Sequence, residues 1–165
     1  METLTPERKE VEYAGFWLRF IAYIIDDLIV GFVGFLISLP FIGGIVFSAI
    51  NMENSQELTG SSFMGIAGII GSALGLVLAI IAVGWLYFAL MESSKNQGTL
   101  GKMALSLKVT DMEGNPISFA RASGRYFGKI ISSMIMMIGY ILAGLTEKKQ
   151  ALHDILAGCL VIRSN

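Results

Sequence analysis

The stretch FWLRFIAYIIDDLIV, residues 16–30, decides how this chain is to be read. It has the apolar density of a membrane-spanning helix, yet it carries Arg19 near its entrance and two adjacent acids, Asp26 and Asp27, inside the run. Arg19 and Asp26 are two helical turns apart, so they share a face within ~20° and are separated by ~10 Å along the axis, while Asp27 points ~80° away from Arg19. An aspartate at that depth costs ~2.5–3.5 kcal/mol on insertion scales, so at least one of the two must face protein, water or an ion. A carboxyl that burial keeps neutral suits proton coupling, and one kept ionised by a nearby cation suits a fixed ion pair or a cation site. Three readings follow: a structural ionic network, an ion or substrate path, or a partner-binding surface.

Composition places the helix in a membrane. Of 165 residues, 54% are hydrophobic and only 15% charged, with 19 Gly, which is the balance of a small integral membrane protein. The formal net charge of -1 gives no reason to expect nucleic acid. All 12 basic residues fall in three zones (Arg8, Lys9 and Arg19; Lys95 through Lys129; Lys148, Lys149 and Arg163), and none lies between Phe20 and Ser94. Cys159 is the single cysteine, which excludes an intrachain disulfide. Residues 1–15 show no small-residue cleavage pattern and are expected to be a retained cytoplasmic tail, with the first helix as an uncleaved anchor.

Three segments are candidates for the bilayer. Residues 16–40 are long enough to cross, and 41–50 are too short to return, so they either extend the first helix or lie at the outer surface. Residues 51–60, acidic and without Lys or Arg, suit a translocated loop. Residues 61–91 contain no charge. Within them Gly68, Ser72, Gly75 and Ala79 recur at three- and four-residue spacings, and Gly71 with Gly75 forms a GxxxG. That stripe is either a close-packing surface, through which a homo-oligomer would form, or the ordinary glycine richness of a membrane helix.

The third segment, 124–146, includes 17 uncharged residues at 130–146 and is either crossing or re-entrant. Between the second and third segments, LSLKVTD alternates and MEGNP carries turn chemistry, predicting a cytoplasmic hairpin or short strand within 98–119, after which Ser118 caps a helix. Residues 147–163 read as a short amphipathic helix stopped by Gly158, then the β-prone run CLVIR. An isolated strand leaves its backbone groups unpaired, and LKVT is its obvious partner, which favours a cytoplasmic C-terminus.

The polar residues outside the first helix are few. Glu92, where the second helix leaves the membrane, is placed to approach Arg19, and His153 with Asp154 makes another polar pair. One histidine is too few for a common transition-metal site. GTLGK lacks the GxxxxGK[ST] spacing of a phosphate loop, and there is no nucleophile–base signature, so neither an enzyme, a cofactor nor a resident metal is expected.

Three stretches in order, LRFIAYIID, ESSKNQGTLGKMALSLKVTDMEGNPISF and KKQALHDILAGCLVI, resemble the RDD family of small polytopic membrane proteins. The resemblance makes Arg19 the motif arginine, Asp26 its first aspartate and Asp154 its second, with Glu92, Thr99, Gly101 and Lys102 in a recurring pattern; Asp27 is an addition to it. It implies a polytopic membrane protein proposed to act in transport, some relatives exchanging sodium for protons.

The expected fold is therefore mostly α: two long transmembrane helices, a third membrane segment and a small cytoplasmic cap of β-strand and amphipathic helix, in one membrane domain over 16–163. In the cap, Arg19 is expected to pair with Asp154 while Asp26 faces a polar cavity. The expected partners are the lipid bilayer, further copies of the chain and a sodium ion or proton at Asp26, with Asp27 and Glu92 assisting; the alternative is a non-transporting scaffold or accessory subunit whose ionic network is structural. The expected location is a bacterial inner membrane with the N-terminus cytoplasmic.

Overall fold

The computed structural model describes residues 12–53, 60–134 and 138–164. Most of the N-terminal tail and the middle of the expected outer loop lie outside the described residues. The elements are α1 (Phe16–Glu53), α2 (Gly60–Ser93), α3 (Leu100–Ala104), β1 (Leu107–Asp111), α4 (Phe119–Met134), α5 (Ile138–Leu145), α6 (Leu152–Ala157) and β2 (Cys159–Arg163). They form two compact units, residues 12–25 with 88–164, and residues 26–87.

In the second of these units α1 and α2 run antiparallel, and the contact is made by small residues. A side chain at Gly65 would meet Met52, at Gly68 it would meet Ser48, and at Gly75 the Phe41 ring 2.8 Å away; Gly44 faces Ser72 in the same way. Absent side chains let the two backbones approach, which is the main source of packing energy between helices in lipid. Gly71 has open space instead. Outward the unit shows Leu28, Phe32, Phe47 and Phe63, each 65% exposed or more. Such a surface is tolerable against acyl chains and costly against water.

The first helix does not stop at residue 40. It continues through Pro40 to Glu53. Proline removes one ladder bond, the one that would reach the Leu36 carbonyl, and a membrane helix tolerates such a gap. Only α1 and α2 among the described helices are long and apolar enough to cross a membrane. Where a single third segment is expected at 124–146, the chain forms two helices of 16 and 8 residues, α4 and α5.

The other unit is built on a two-stranded sheet. β1 pairs antiparallel with β2 in the register Leu107↔Arg163 to Asp111↔Cys159. On the far edge of β2 the chain before α1 joins in: Ala14 N donates to the Val161 carbonyl at 2.9 Å, and Arg163 N to the Glu12 carbonyl at 2.8 Å. Within 98–119, where a hairpin or short strand is expected, the chain forms a helix, α3, and then the short strand β1, whose ladder partner is β2 and whose Thr110 also makes an isolated antiparallel bridge with Pro116. MEGNP does turn: Asp111 Oδ1 accepts from the backbone N–H of Glu113 and Asn115, and Gly114 takes a positive φ of 91°.

α4 starts after Ser118, whose hydroxyl oxygen accepts from Arg121 N at 3.3 Å. Its buried positions Ala122, Arg125, Gly128 and Ser132 fall at helical spacing. A side-chain carbon at Gly128 would lie 3.1 Å from His153 Cβ, so this glycine lets α4 rest directly on α6. α6 ends at Gly158, left-handed at φ 60°.

Candidate functional site

The sheet and the α4–α6 contact bring charged side chains from five parts of the chain into one buried cluster. Asp154 sits in the first turn of α6, where its Oδ2 accepts the Ala151 N–H at 3.1 Å, half of a capping box whose other half alanine cannot supply. The same oxygen accepts from Arg19 Nη1, and Arg19 Nε donates to the Ala14 carbonyl at 2.9 Å. Arg125 is the hub. Its Nε and Nη2 donate to Asp154 Oδ1 at 2.9 and 2.6 Å, and its Nη1 donates to Glu92 Oε2 at 2.5 Å. Glu92 Oε1 accepts from Lys102 Nζ at 2.5 Å, with Lys129 Nζ at 3.7 Å. Lys129 also lies 4.0 Å from the centre of the Phe88 ring, in cation–π contact.

Arg125, Glu92 and Asp154 are each about 1% exposed or less, so these are desolvated charges. Burial alone would raise the Asp154 carboxyl, but Arg125 foremost, with Arg19, holds it well below the usual carboxylate range. For Lys102 burial outweighs the attraction of Glu92 and leaves the ammonium below its ordinary value. His153 Nε2 is 3.5 Å from Asp154 Oδ1, a distance that would make an ion pair if the ring were charged. Burial outweighs that attraction and, with the surrounding cations, lowers the imidazole to about 3, so it is neutral at physiological pH and the contact is not ionic.

The balance of the cluster decides what it can bind. Four basic residues (Arg19, Lys102, Arg125, Lys129) surround two carboxylates, and all four carboxylate oxygens are engaged by cations. Arg19 Nη2 is buried without a hydrogen-bond partner among the described residues, a sign that donors outnumber acceptors. A further cation entering here would meet repulsion and no open ligand. Among the described residues no three His, Cys, Asp or Glu side chains come together as a metal site requires.

Of the residues singled out in the sequence, Arg19, Glu92, Lys102, His153 and Asp154 meet in this cluster. Glu92 takes Lys102 and Arg125 as its closest cations. Thr99 and Gly101 are buried at the start of α3, where they place Lys102. Asp26 belongs to the other unit. It is 1% exposed, and Tyr87 Oη donates to its Oδ1 at 2.8 Å. Asp27, one residue on, is exposed. The hub itself, Arg125, was not among the sequence candidates, and neither was Lys129. A signal existed: Ala122, Gly128 and Ser132 mark a small-residue face on α4, and Arg125 lies on it.

A helical membrane protein with two helices long and apolar enough to span and a buried ionic cluster is the class that these features define. The chain belongs to the RDD family, whose sequence profile matches residues 13–158. It is similar to "Uncharacterized protein YxaI" of Bacillus subtilis (strain 168), 39% identical over 153 residues that cover 90% of this chain and 96% of that protein. It is also similar to "Uncharacterized membrane protein YteJ" of the same organism, 30% identical over 91% of this chain and 80% of that one. No solved structure matches.

Proposed function

We propose that this RDD-family membrane protein is a non-transporting scaffold or accessory subunit, in which α1 and α2 anchor the chain and the Arg125-centred cluster is a structural keystone. One observation carries this reading: both carboxylates are saturated by buried cations within a cluster that is basic overall, which disfavours a sodium path through it. Both termini lie on one side of the membrane in this reading. The support is the hydrogen bonding of residues 12–14 to β2, together with two spans. That side is the cytoplasm: every described basic residue falls in the unit of residues 12–25 and 88–164, and the positive-inside tendency favours it there. α4 and α5 then serve as a re-entrant or interfacial element.

A second reading, transport of sodium or protons, is favoured by the buried Asp26 with its Tyr87 hydrogen bond inside the spans. Two spans do not enclose a path, so it requires further copies of the chain. The stripe of Gly68, Ser72 and Gly75 is occupied by α1, and a copy would have to dock on another face, such as that of Gly71. Sodium and proton flux into sealed vesicles separates the readings. The scaffold predicts that wild type dissipates neither gradient faster than empty vesicles. A flux present in wild type and abolished by Asp26→Asn establishes transport instead.

A further inference from the structure

Beside the start of α1 there is a cleft of about 410 Å³, lined by Gly15, Phe16 and Trp17 on one side and by Gly144, Leu145 and Lys149 on the other. Two of the residues lining the cleft are glycines: a side chain at Gly15 would meet nothing within 4 Å, and one at Gly144 would only touch Phe16 Cβ at 3.9 Å. Its walls are apolar and open: Trp17 is 71% exposed and Leu145 77%. Phe16, Trp17 and Phe20 stack into a cluster with ring centres 5.4–6.2 Å apart, at the point where the apolar span begins. Aromatic groups at that level are the usual mark of the lipid headgroup region.

Among the described lining residues only Lys149 is charged, and it is basic. Lys149 stands in the turn between α5 and α6 with a left-handed φ of 48°. The turn is tied by Thr146, whose Oγ1 accepts from Gln150 N at 2.7 Å and whose carbonyl accepts from Lys149 N at 2.9 Å. Apolar walls beside the start of an apolar span, with an exposed lysine in the lining, have the chemistry of one particular occupant.

We propose that this cleft holds an acidic phospholipid of the surrounding bilayer, its phosphate paired with Lys149 and the upper part of an acyl chain lying against Trp17 and Leu145. Basic pockets beside membrane helices select anionic headgroups through this combination of charge and apolar contact. The inference requires only that α1 spans a bilayer, and it stands whether or not the protein transports ions.

Native mass spectrometry of the protein in mild detergent, titrated with phosphatidylglycerol or phosphatidylcholine, tests it. Wild type should retain phosphatidylglycerol preferentially, one lipid per chain. Lys149→Gln should weaken retention about fivefold, the equivalent of about 1 kcal/mol for one headgroup cation. Gly144→Leu, which adds bulk to the lining without changing charge, should weaken it also, and Lys148→Gln should not. Equal losses from Lys148→Gln and Lys149→Gln, equal retention of both lipids, displacement by millimolar inorganic phosphate, or full retention in Gly144→Leu would each overturn the proposal.

Discussion

In residues 26–87 two helices are held together by what is missing: glycines at 44, 65, 68 and 75 let backbones approach, and the outward surface is left to lipid. In residues 12–25 and 88–164 the opposite holds. There the largest fully buried side chain is an arginine, and two carboxylates and a neutral histidine are buried near it. The first region follows from shape in a medium where apolar contact between helices gains little over contact with acyl chains. The second depends on charges that are worth burying only while each has its partner, because removing one leaves the others desolvated and uncompensated. The two regions should therefore fail in different ways.

The largest effect is expected at the hub. Arg125→Met deprives both Glu92 and Asp154 of a buried cation and should lower unfolding stability in detergent by about 3–5 kcal/mol, with the loss concentrated in the charged region. Limited proteolysis would show earlier cleavage within residues 88–164 and little change within α1–α2.

Acid should reach the charged region next. His153 has a folded value of about 3 against an ordinary 6.5, so below pH 6.5 the unfolded chain takes up a proton that the folded chain refuses. Stability must then fall as pH falls, by roughly 2–3 kcal/mol between pH 6.5 and about 4.5. Asp154, held below its ordinary 3.8, adds a further loss only beneath about pH 4, where the unfolded carboxyl protonates first. A thermal-midpoint series checks the sign, and His153→Gln should flatten it between pH 6.5 and 4.5.

The glycine-packed region should be insensitive to that series and sensitive to volume. Gly75→Leu drives a side chain into the Phe41 ring and should cost about 1–3 kcal/mol. Gly71→Leu, on the same helix with open space before it, should stay within about 0.5 kcal/mol of wild type. Equal effects would mean that the α1–α2 contact does not use this face. A smaller loss than that of Gly75→Leu is expected of Tyr87→Phe, which removes one donor from Asp26 and should cost about 1 kcal/mol.

The two regions were also unequally legible in the sequence. Uncharged runs and the gap in basic residues announce the spans. Strand pairing between LKVT and CLVIR, and the helix stop at Gly158, follow from local chemistry because few alternatives exist for an isolated strand. Whether residues 41–50 extend the first helix or lie at the outer surface is open in the sequence because proline is a strong break in water and a weaker one between packed membrane helices; they extend it. The glycine stripe on α2 is readable as an interface, but its spacing is blind to whether α1 or another copy covers it. Arg125 was hidden for a deeper reason. An arginine on an amphipathic helix reads as a solvated charge, and only the contact at Gly128, which brings α4 onto α6, turns it toward Asp154 and Glu92.

The central claim is that Arg125 and Asp154 are bound to each other as structure. A double-mutant cycle with Arg125→Met, Asp154→Asn and the pair, read as unfolding free energy in one detergent, measures it. A coupling of about 2 kcal/mol or more between the two positions is expected. Losses that add to within about 0.5 kcal/mol would contradict it.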